Sequence, residues 1–266
     1  MSDERPVSDA VSGPDRSRLP LREANPHPVQ PTFRRLARVG GWLLRRLTRQ
    51  DWDAAAQLPQ TGGVILVGNH ISNFDPVAFV HYVVWNGRWP RFLAKADLWK
   101  VPVLGYLAVR CGQIPVERGT SRAGDALSHA EEAIRRGECV VIYPEGTITA
   151  DPDTWPMTAR PGVARLALRT GCPVIPVGQW GAQAVMPGKK PVWPKFRPKP
   201  TLRFRMGPPV DLSDLDGRTD SAAAMAAGRR IMAAVTDLVA QIREVPAPEQ
   251  VFDLRVGRRV PRLDGR

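Results

Sequence analysis

Short segments with the composition of strands alternate with helical patterns, and this alternation restricts the possible folds of the chain most strongly. Five segments have strand length and are rich in apolar or β-branched residues. They are Val64 to Val67, Arg91 to Lys95, Gln113 to Glu117, Cys139 to Tyr143 and Pro173 to Val177. Such alternation favours an α/β fold, with a mostly parallel central sheet flanked by helices and with functional residues near the carboxyl ends of the strands.

The helical patterns fill the intervals between these strands. Helices are predicted at Pro76 to Trp85, Leu98 to Val109, Ser121 to Arg136 and Gly162 to Thr170. Leu202, Phe204 and Met206 alternate with arginines, which predicts one more, half-exposed strand. The alanine-rich segment Ser221 to Glu244 then predicts a closing helix.

A histidine and a carboxylate follow the first of these strands. His70 and Asp75 lie just beyond Val64 to Val67. Imidazole titrates near neutral pH, and a carboxylate can fix its tautomer and stabilise the imidazolium, so the pair is suited to removing a proton from an alcohol. Asp75 before Pro76 is also a common helix opening, so a capping role for Asp75 stays open at this point.

A second group of polar residues follows the strand at Cys139 to Tyr143, where the chain reads Pro144-Glu145-Gly146-Thr147. Together with the His70 and Asp75 spacing, this block resembles the glycerolipid acyltransferases, specifically the bacterial 1-acylglycerol-3-phosphate acyltransferases. Gly112 to Arg118 is similar to the second motif of that family, and Val174 to Val177 is similar to its fourth. The four ordered blocks span roughly residues 62 to 180 and are far more specific together than singly.

The resemblance implies transfer of an acyl group from a thioester, either acyl-CoA or acyl carrier protein, to a hydroxyl of a lysolipid such as lysophosphatidic acid, which yields phosphatidic acid for phospholipid biosynthesis. It implies neither a cofactor nor a metal. Carried over residue by residue, His70 would be the general base and Asp75 its orienting partner. The positions that would bind the substrate are Asn73, Arg118, Glu145, Gly146 and Thr147.

The chain departs from the family at Ile148, where the third motif usually has an arginine. A cation that could hold the acceptor's phosphate is therefore missing, and Arg118, Lys95, Arg122 or Arg160 would have to compensate. A different lysophospholipid or another lipid alcohol is an alternative acceptor. A catalytically idle, peripheral lipid-binding homologue is a second alternative.

The formal net charge of +12 indicates an anionic partner, which charge alone does not identify. A nucleic-acid-binding module would explain the charge, but the chain carries no recognised nucleic-acid motif. We therefore expect an anionic membrane surface and no nucleic acid. Phe33 to Arg49 has apolar residues at helical spacing opposite arginines, which is typical of an interfacial helix, although a helix docked on the core gives the same pattern.

These patterns divide the chain into three parts. Residues 1–32 are polar and rich in proline, which predicts a disordered tail without a signal peptide. Residues 33–245 form the predicted acyltransferase domain, which includes the N-terminal amphipathic helix, and residues 246–266 form a basic, weakly ordered tail. No apolar run has the length of a membrane span, so we expect a cytoplasmic protein that is peripheral on the inner face of the plasma membrane.

Overall fold

The computed structural model describes residues 15–53, 58–117, 123–190 and 192–262. Nine strands lie in these ranges, seven of them in one sheet and two in a separate hairpin. The strands are β1 (Arg49–Trp52), β2 (Val64–Gly68), β3 (Pro90–Lys95), β4 (Ile114–Val116), β5 (Cys139–Ile142), β6 (Val174–Trp180), β7 (Thr201–Met206), β8 (Gln250–Asp253) and β9 (Arg258–Pro261).

Eight α-helices lie in the same described ranges. They are α1 (Leu21–Ala24), α2 (Pro31–Leu47), α3 (Asp75–Trp85), α4 (Pro102–Arg110), α5 (Ala123–Arg135), α6 (Pro161–Thr170), α7 (Ala182–Val185) and α8 (Ser221–Arg243). Of these, α2, α3, α5, α6 and α8 match predicted helices with small differences at the ends, whereas α1 and α7 were not predicted. The helix predicted at Leu98 to Val109 is divided into a 3-10 turn at Ala96–Lys100 and α4. Pro102 explains the division, because a proline disfavours the helical conformation of the residue before it.

The seven-stranded sheet has the order β1-β7-β6-β2-β5-β3-β4. β2 lies at its centre and pairs in parallel with β5 on one side and β6 on the other. β3 and β4 extend the parallel part beyond β5, whereas β7 runs antiparallel to β6 and pairs in parallel with β1. This arrangement confirms the predicted mostly parallel sheet, and it places the carboxyl ends of β2, β5 and β6 at one edge.

Both faces of the sheet are covered, as the two-sided apolar character of β2 requires. Val64 and Leu66 pack with α3 in one buried cluster, while Ile65 and Val67 pack in another with residues of α5, α6 and α8. Successive residues of a strand point to opposite faces, so one continuous apolar run supplies both layers of the core. The two clusters hold β2 rigidly in the middle of the molecule.

Helix α2 confirms that the segment beginning at Phe33 is helical and divides its apolar residues between two faces. Its buried face docks on the core and consists of Phe33, Ala37, Gly41 and Leu44. A second group of large apolar side chains is exposed and consists of Leu36, Val39, Trp42 and Leu43. One face of α2 is therefore docked on the core, and a second apolar stripe of the helix is exposed.

Residues 15–30 differ from the predicted disordered tail, because they fold against the core. A 3-10 turn at Arg16–Arg18 is followed by α1, in which Leu21 and Ala24 are buried. The Nε of Arg16 donates to the carbonyl of Trp85 at 3.1 Å, and the indole N–H of Trp85 donates to the carbonyl of Leu19 at 3.0 Å. Residues 1–14 lie outside the described ranges.

The C-terminal segment also differs from its prediction, because β8 and β9 form an antiparallel hairpin. Arg259 contacts both carboxylate oxygens of Asp151 at 2.7 and 2.8 Å, and the carbonyl of Phe252 accepts the backbone N–H of Thr158 at 3.0 Å. Two arginines of the predicted solvated tail are thus paired with acidic residues of the domain, Arg259 with Asp151 and Asp153 and Arg262 with Asp237. The hairpin thereby supports the loop that follows β5.

Two adjacent glycines of α2 provide a test of its docking. A Cβ on Gly41 would overlap the Trp85 ring, whereas a Cβ on Gly40 would have nothing within 4 Å. We expect Gly41→Ala to lower the free energy of unfolding by about 1–3 kcal/mol through overpacking. Gly40→Ala should instead raise it by about 0.5–1 kcal/mol, since it removes a helical glycine without a clash. Urea unfolding measures both, and equal effects of the two substitutions would contradict the docking of α2.

Candidate active site

His70 and Asp75 lie in the loop between β2 and α3 and contact each other directly. The Oδ2 atom of Asp75 lies 2.8 Å from Nδ1 of His70. The same oxygen accepts the backbone N–H groups of Ile71 at 2.6 Å and Ser72 at 2.8 Å. Asp75 is fully buried, while 17% of the His70 side chain is exposed. The loop therefore wraps around the carboxylate and leaves the imidazole at the surface of the site.

The surroundings of Asp75 act on its charge in opposite directions. Burial raises the pKa of Asp75, while the hydrogen bond and the charge of His70 and the bonds from the amides of Ser72 and Ile71 lower it. When Asp75 is ionised it accepts the proton on Nδ1, so that Nε2 of His70 carries the free lone pair. Imidazole in this tautomer can accept a proton from an alcohol.

Tyr143 forms one wall of the His70 pocket, a role that the sequence analysis missed. Its ring stacks on the imidazole with a centroid distance of 4.2 Å and an angle of 13° between the planes. The stacking fixes the plane of the imidazole from the side, in addition to the bond from Asp75. Tyr143 comes directly after β5 and directly before the Pro144-Glu145 block, and this position was the sequence signal that could have placed it beside His70.

Glu145 is buried, and its carboxylate accepts hydrogen bonds from backbone N–H groups. Its Oε1 accepts the N–H of His70 at 2.8 Å, and its Oε2 accepts the N–H of Met157 at 3.0 Å. The family resemblance implied a contact of Glu145 with the substrate, whereas in the structure both carboxylate oxygens accept backbone N–H groups. Burial raises the pKa of Glu145 to about 8 despite these two hydrogen bonds, and repulsion from Asp75 and Asp151 adds to the effect.

The loop after β5 holds His70 from its other side as well. The N–H of Thr149 donates to the carbonyl of His70 at 2.7 Å. The backbone N–H and C=O of His70 are thus both bound by the Glu145 to Thr149 segment, across the β2–β5 pair. The structure therefore brings the first and third sequence motifs together at one edge of the sheet, as their positions after parallel strands predict.

Gly146 and Arg160 are in close contact within this loop. Gly146 has a φ of +70°, and a Cβ at this position would lie 2.6 Å from both Cδ and Nε of Arg160. The Nε of Arg160 donates to the carbonyl of Glu145 at 3.4 Å. Arg160 is exposed, Thr147 is partly exposed and Ile148 is buried. A guanidinium group therefore lies on the loop from which the expected motif arginine is missing.

Two further predicted binding residues have different outcomes. Asn73 is exposed, and its amide N–H donates to the carbonyls of Gly188 at 3.3 Å and Lys189 at 3.1 Å. Asn73 thereby connects the His70 loop to the segment that follows α7. Arg118 lies outside the described residues, so its position relative to His70 stays a prediction.

An amide pair that the sequence analysis missed joins β2 to β6 directly beside His70. The side chain of Asn69 bonds the backbone N–H of Gln179 at 2.9 Å and its C=O at 3.0 Å. In return, the Nε2 of Gln179 donates to the carbonyl of Asn69 at 2.6 Å. Both side chains are buried, so the three bonds fix the chain just before His70.

Comparisons with known proteins agree with this geometry. Residues 53–180 match the model of a protein family described as Acyltransferase. The chain is 31% identical over 126 residues to a 1-acyl-sn-glycerol-3-phosphate acyltransferase of Borreliella burgdorferi, which covers 45% of this chain and 46% of that protein. It is 29% identical over 124 residues to the chloroplastic 1-acyl-sn-glycerol-3-phosphate acyltransferase BAT2 of Brassica napus, which covers 46% of this chain and 34% of that protein.

A solved structure shares the fold. The crystal structure of the 1-acyl-sn-glycerophosphate (LPA) acyltransferase PlsC from Thermotoga maritima superposes with a TM-score of 0.61 and covers 81% of each chain. The sequence identity of 20% makes this likeness evidence for the fold alone. The chain spans less than half the length of each of the two sequence relatives described above.

Glu145 provides a pH-dependent test of this site. Because its pKa is raised from 4.5 to about 8, the native state binds more protons than the unfolded state between these values. Raising the pH through this window should therefore lower the free energy of unfolding, by at most about 1.4 kcal/mol per pH unit. Glu145→Gln should lack this dependence and should also lose about 1–3 kcal/mol, since its amide nitrogen would face an N–H donor.

The measurement is urea unfolding of wild type and variant from about pH 5 to about pH 8. The stability of wild type relative to Glu145→Gln should fall as the pH rises. Glu132→Gln, on the exposed side of α5, is the matched control and should follow the wild-type curve. Parallel curves for wild type and Glu145→Gln would contradict the raised pKa of Glu145.

Proposed function

We propose, on the premise that residues 53–180 match the acyltransferase family, that the chain transfers a fatty acyl group to the free hydroxyl of 1-acylglycerol-3-phosphate. The donor is a thioester, acyl-CoA or acyl carrier protein, and the product is phosphatidic acid. Both sequence relatives described above are 1-acyl-sn-glycerol-3-phosphate acyltransferases, which supports this acceptor. The observation that carries the proposal is the bond between His70 and the buried Asp75 at the carboxyl edge of a parallel sheet.

The proposed mechanism begins with removal of the acceptor's hydroxyl proton by Nε2 of His70. The acceptor oxygen attacks the thioester carbonyl, and the tetrahedral oxyanion collapses to an ester while the C–S bond breaks. The imidazolium then returns its proton to the departing thiolate. Asp75 stabilises the imidazolium and keeps the ring in the tautomer with a free Nε2. Nothing in these steps requires an acidic or basic residue beyond this pair.

Arg160 is our proposed partner for the acceptor's phosphate. Its side chain lies over Gly146, is exposed, and can present two parallel N–H groups to a phosphate. Lys95, another of the cations considered for this role, already contacts Asp97 at 2.5 Å. Ile148, at the position where the family usually has arginine, is buried and cannot serve. The cation of Arg160 would thus replace the missing one from a position twelve residues further on.

The buried Ile148 also favours a second candidate acceptor, a lysophospholipid with a different headgroup or another lipid alcohol. In that case the chemistry at His70 would be the same, and only the contacts to the headgroup would differ. An idle homologue without turnover is the remaining alternative. A panel of acceptors separates these three possibilities.

Contact with an anionic membrane is part of the proposal. Within the described residues, no helix has the length and apolarity to cross a membrane. Helix α2 exposes Leu36 and Leu43 beside the exposed arginines Arg35, Arg38 and Arg46. This combination suits a helix that lies in the headgroup region. A peripheral position on the inner face of the plasma membrane is the location that we propose.

The proposed base and its partner are tested by measuring free-thiol release from acyl-CoA, with lysophosphatidic acid and several other lysophospholipids as acceptors. We expect His70→Ala to lower turnover by roughly 100- to 10,000-fold, because it removes the base. Asp75→Asn should lose less, since it keeps the base and weakens only its orientation and charge. His129→Ala, an exposed histidine on α5, is the matched control and should keep full activity.

Each outcome of this assay decides one point. Activity with lysophosphatidic acid that disappears in His70→Ala supports the proposal. Activity only with another acceptor would show that the enzyme recognises a different headgroup and uses the same mechanism. Near-wild-type turnover by His70→Ala would refute the role of His70 as base. The absence of turnover with every acceptor, from acyl-CoA and from acyl carrier protein alike, would favour the idle homologue.

A further inference from the structure

The segment between β3 and β4 exposes a group of large apolar side chains that the proposed mechanism does not use. It comprises the turn at Ala96–Lys100 and helix α4, in which Gly105 is the only buried residue. The exposed fractions of these apolar side chains range from 42% to 69%. The group, named here the α4 patch, consists of Leu98, Val101, Val103, Leu104, Tyr106 and Val109.

The α4 patch is unusual for a helix that connects two parallel strands, because such helices normally bury an apolar face on the sheet. Helix α4 packs instead against the turn that precedes it. Helix α4 comes closest to this turn at Gly105, where a Cβ would overlap the backbone of Trp99. This contact uses backbone and leaves the side chains of α4 directed outward. The helix therefore presents apolar surface that the described core does not cover.

The α4 patch begins at the edge of the sheet that carries His70. β3 is separated from β2 only by β5, and all three strands run in the same direction. The turn at Ala96–Lys100 starts directly after the carboxyl end of β3. With strands about 4.8 Å apart, the start of the patch is two strands, or about 10 Å, from the end of β2. Apolar surface is thus available beside the candidate active site.

Cations accompany the α4 patch and outnumber the acidic residues beside it. Between residues 98 and 116 the sequence contains Lys100 and Arg110 but neither aspartate nor glutamate. Arg110 lies over the ring of Tyr106, with its guanidinium carbon 5.3 Å from the ring centroid. Lys95 and Lys100 share one acidic partner, Asp97. Glu117 also acts on the charge of Lys100, so the apolar patch is flanked by three cations, Lys95, Lys100 and Arg110, and by two carboxylates, Asp97 and Glu117.

We propose that the α4 patch inserts into the headgroup and upper acyl region of an anionic membrane, as a contact separate from α2. The apolar side chains would enter the lipid, while Arg110, which lies over the Tyr106 ring, would bind lipid phosphates. A second copy of the chain fits less well, because it would bring two surfaces of like charge together, each from a chain with a net charge of +12. The inference rests on the proposed function, because a membrane contact beside His70 is useful only if the acceptor is a lipid that reaches His70 from the membrane.

The test measures partition of the full chain into vesicles made of equal amounts of phosphatidylglycerol and phosphatidylcholine, without acyl donor or acceptor. The patch variant is Val103→Gln combined with Val109→Gln, the two most exposed members of the patch. The control is Met225→Gln combined with Val256→Gln, two equally exposed apolar residues on other elements. Both pairs of substitutions are at exposed positions and should leave the fold intact, which circular dichroism checks.

We expect the patch variant to bind at least about tenfold more weakly than wild type and the control to bind like wild type. Vesicles of phosphatidylcholine alone should bind wild type more weakly, because they remove the attraction to Arg110 and to the exposed arginines of α2. A change of less than twofold in the patch variant would overturn the inference. A dimer seen by sedimentation that the patch variant abolishes, with vesicle binding unchanged, would overturn it in favour of a second copy.

The binding test is independent of turnover, so its failure is distinguishable from failure of the proposed function. His70→Ala should bind the vesicles like wild type. The patch variant should keep wild-type turnover with a short-chain, water-soluble lysophosphatidic acid and lose turnover only with acceptor presented in vesicles. Loss of turnover with the soluble acceptor as well would contradict a purely membrane-binding role of the patch.

Discussion

The candidate site depends on one buried oxygen, the Oδ2 of Asp75, which faces three donors from a single loop. Two of them are the backbone N–H groups of Ile71 and Ser72, and the third is Nδ1 of His70. Charge-assisted hydrogen bonds of this kind are stronger than neutral ones, and they offset part of the cost of burying the carboxylate, whose pKa burial still raises. Folding of the loop and orientation of the imidazole are therefore the same event. Asp75 is the first residue of α3 rather than its N-cap, and its side chain accepts N–H groups from the loop before the helix, so the helix-capping interpretation is wrong and the orienting one remains.

The parallel sheet supplies the rest of the order around His70, because it brings chain ends from three strands to one edge. Glu145 and Thr149 from the loop after β5 bind the N–H and C=O of His70. Gln179 from β6 binds the residue before it. The main chain at His70 is thus held from both neighbouring strands, which leaves the imidazole edge as the exposed part. Rigid support of this kind is what a positioned base requires.

The features that the sequence predicts are those set by local pattern. The central strands, helix α3 and the His70 and Asp75 pair follow from apolar runs and from five residues of spacing, and the structure has each of them. The bond of Glu145 to His70 joins residues 75 apart in the chain, and no local pattern encodes which buried amide a carboxylate will accept. The C-terminal hairpin was not predicted for a related reason. Its arginines suggest a solvent-exposed segment, but Arg259 pairs with Asp151, which is 108 residues away in the chain.

The most direct test of this account is the tautomer of His70, read from the ¹⁵N chemical shifts of its neutral ring. If Asp75 holds the ring as described, Nδ1 carries the proton and Nε2 is the unprotonated nitrogen. Asp75→Asn should disturb this preference, and the His129 tautomer in the same spectrum should be unaffected. A wild-type spectrum in which Nε2 carries the proton would contradict the central claim, because the nitrogen available to an acceptor hydroxyl would then not be a base.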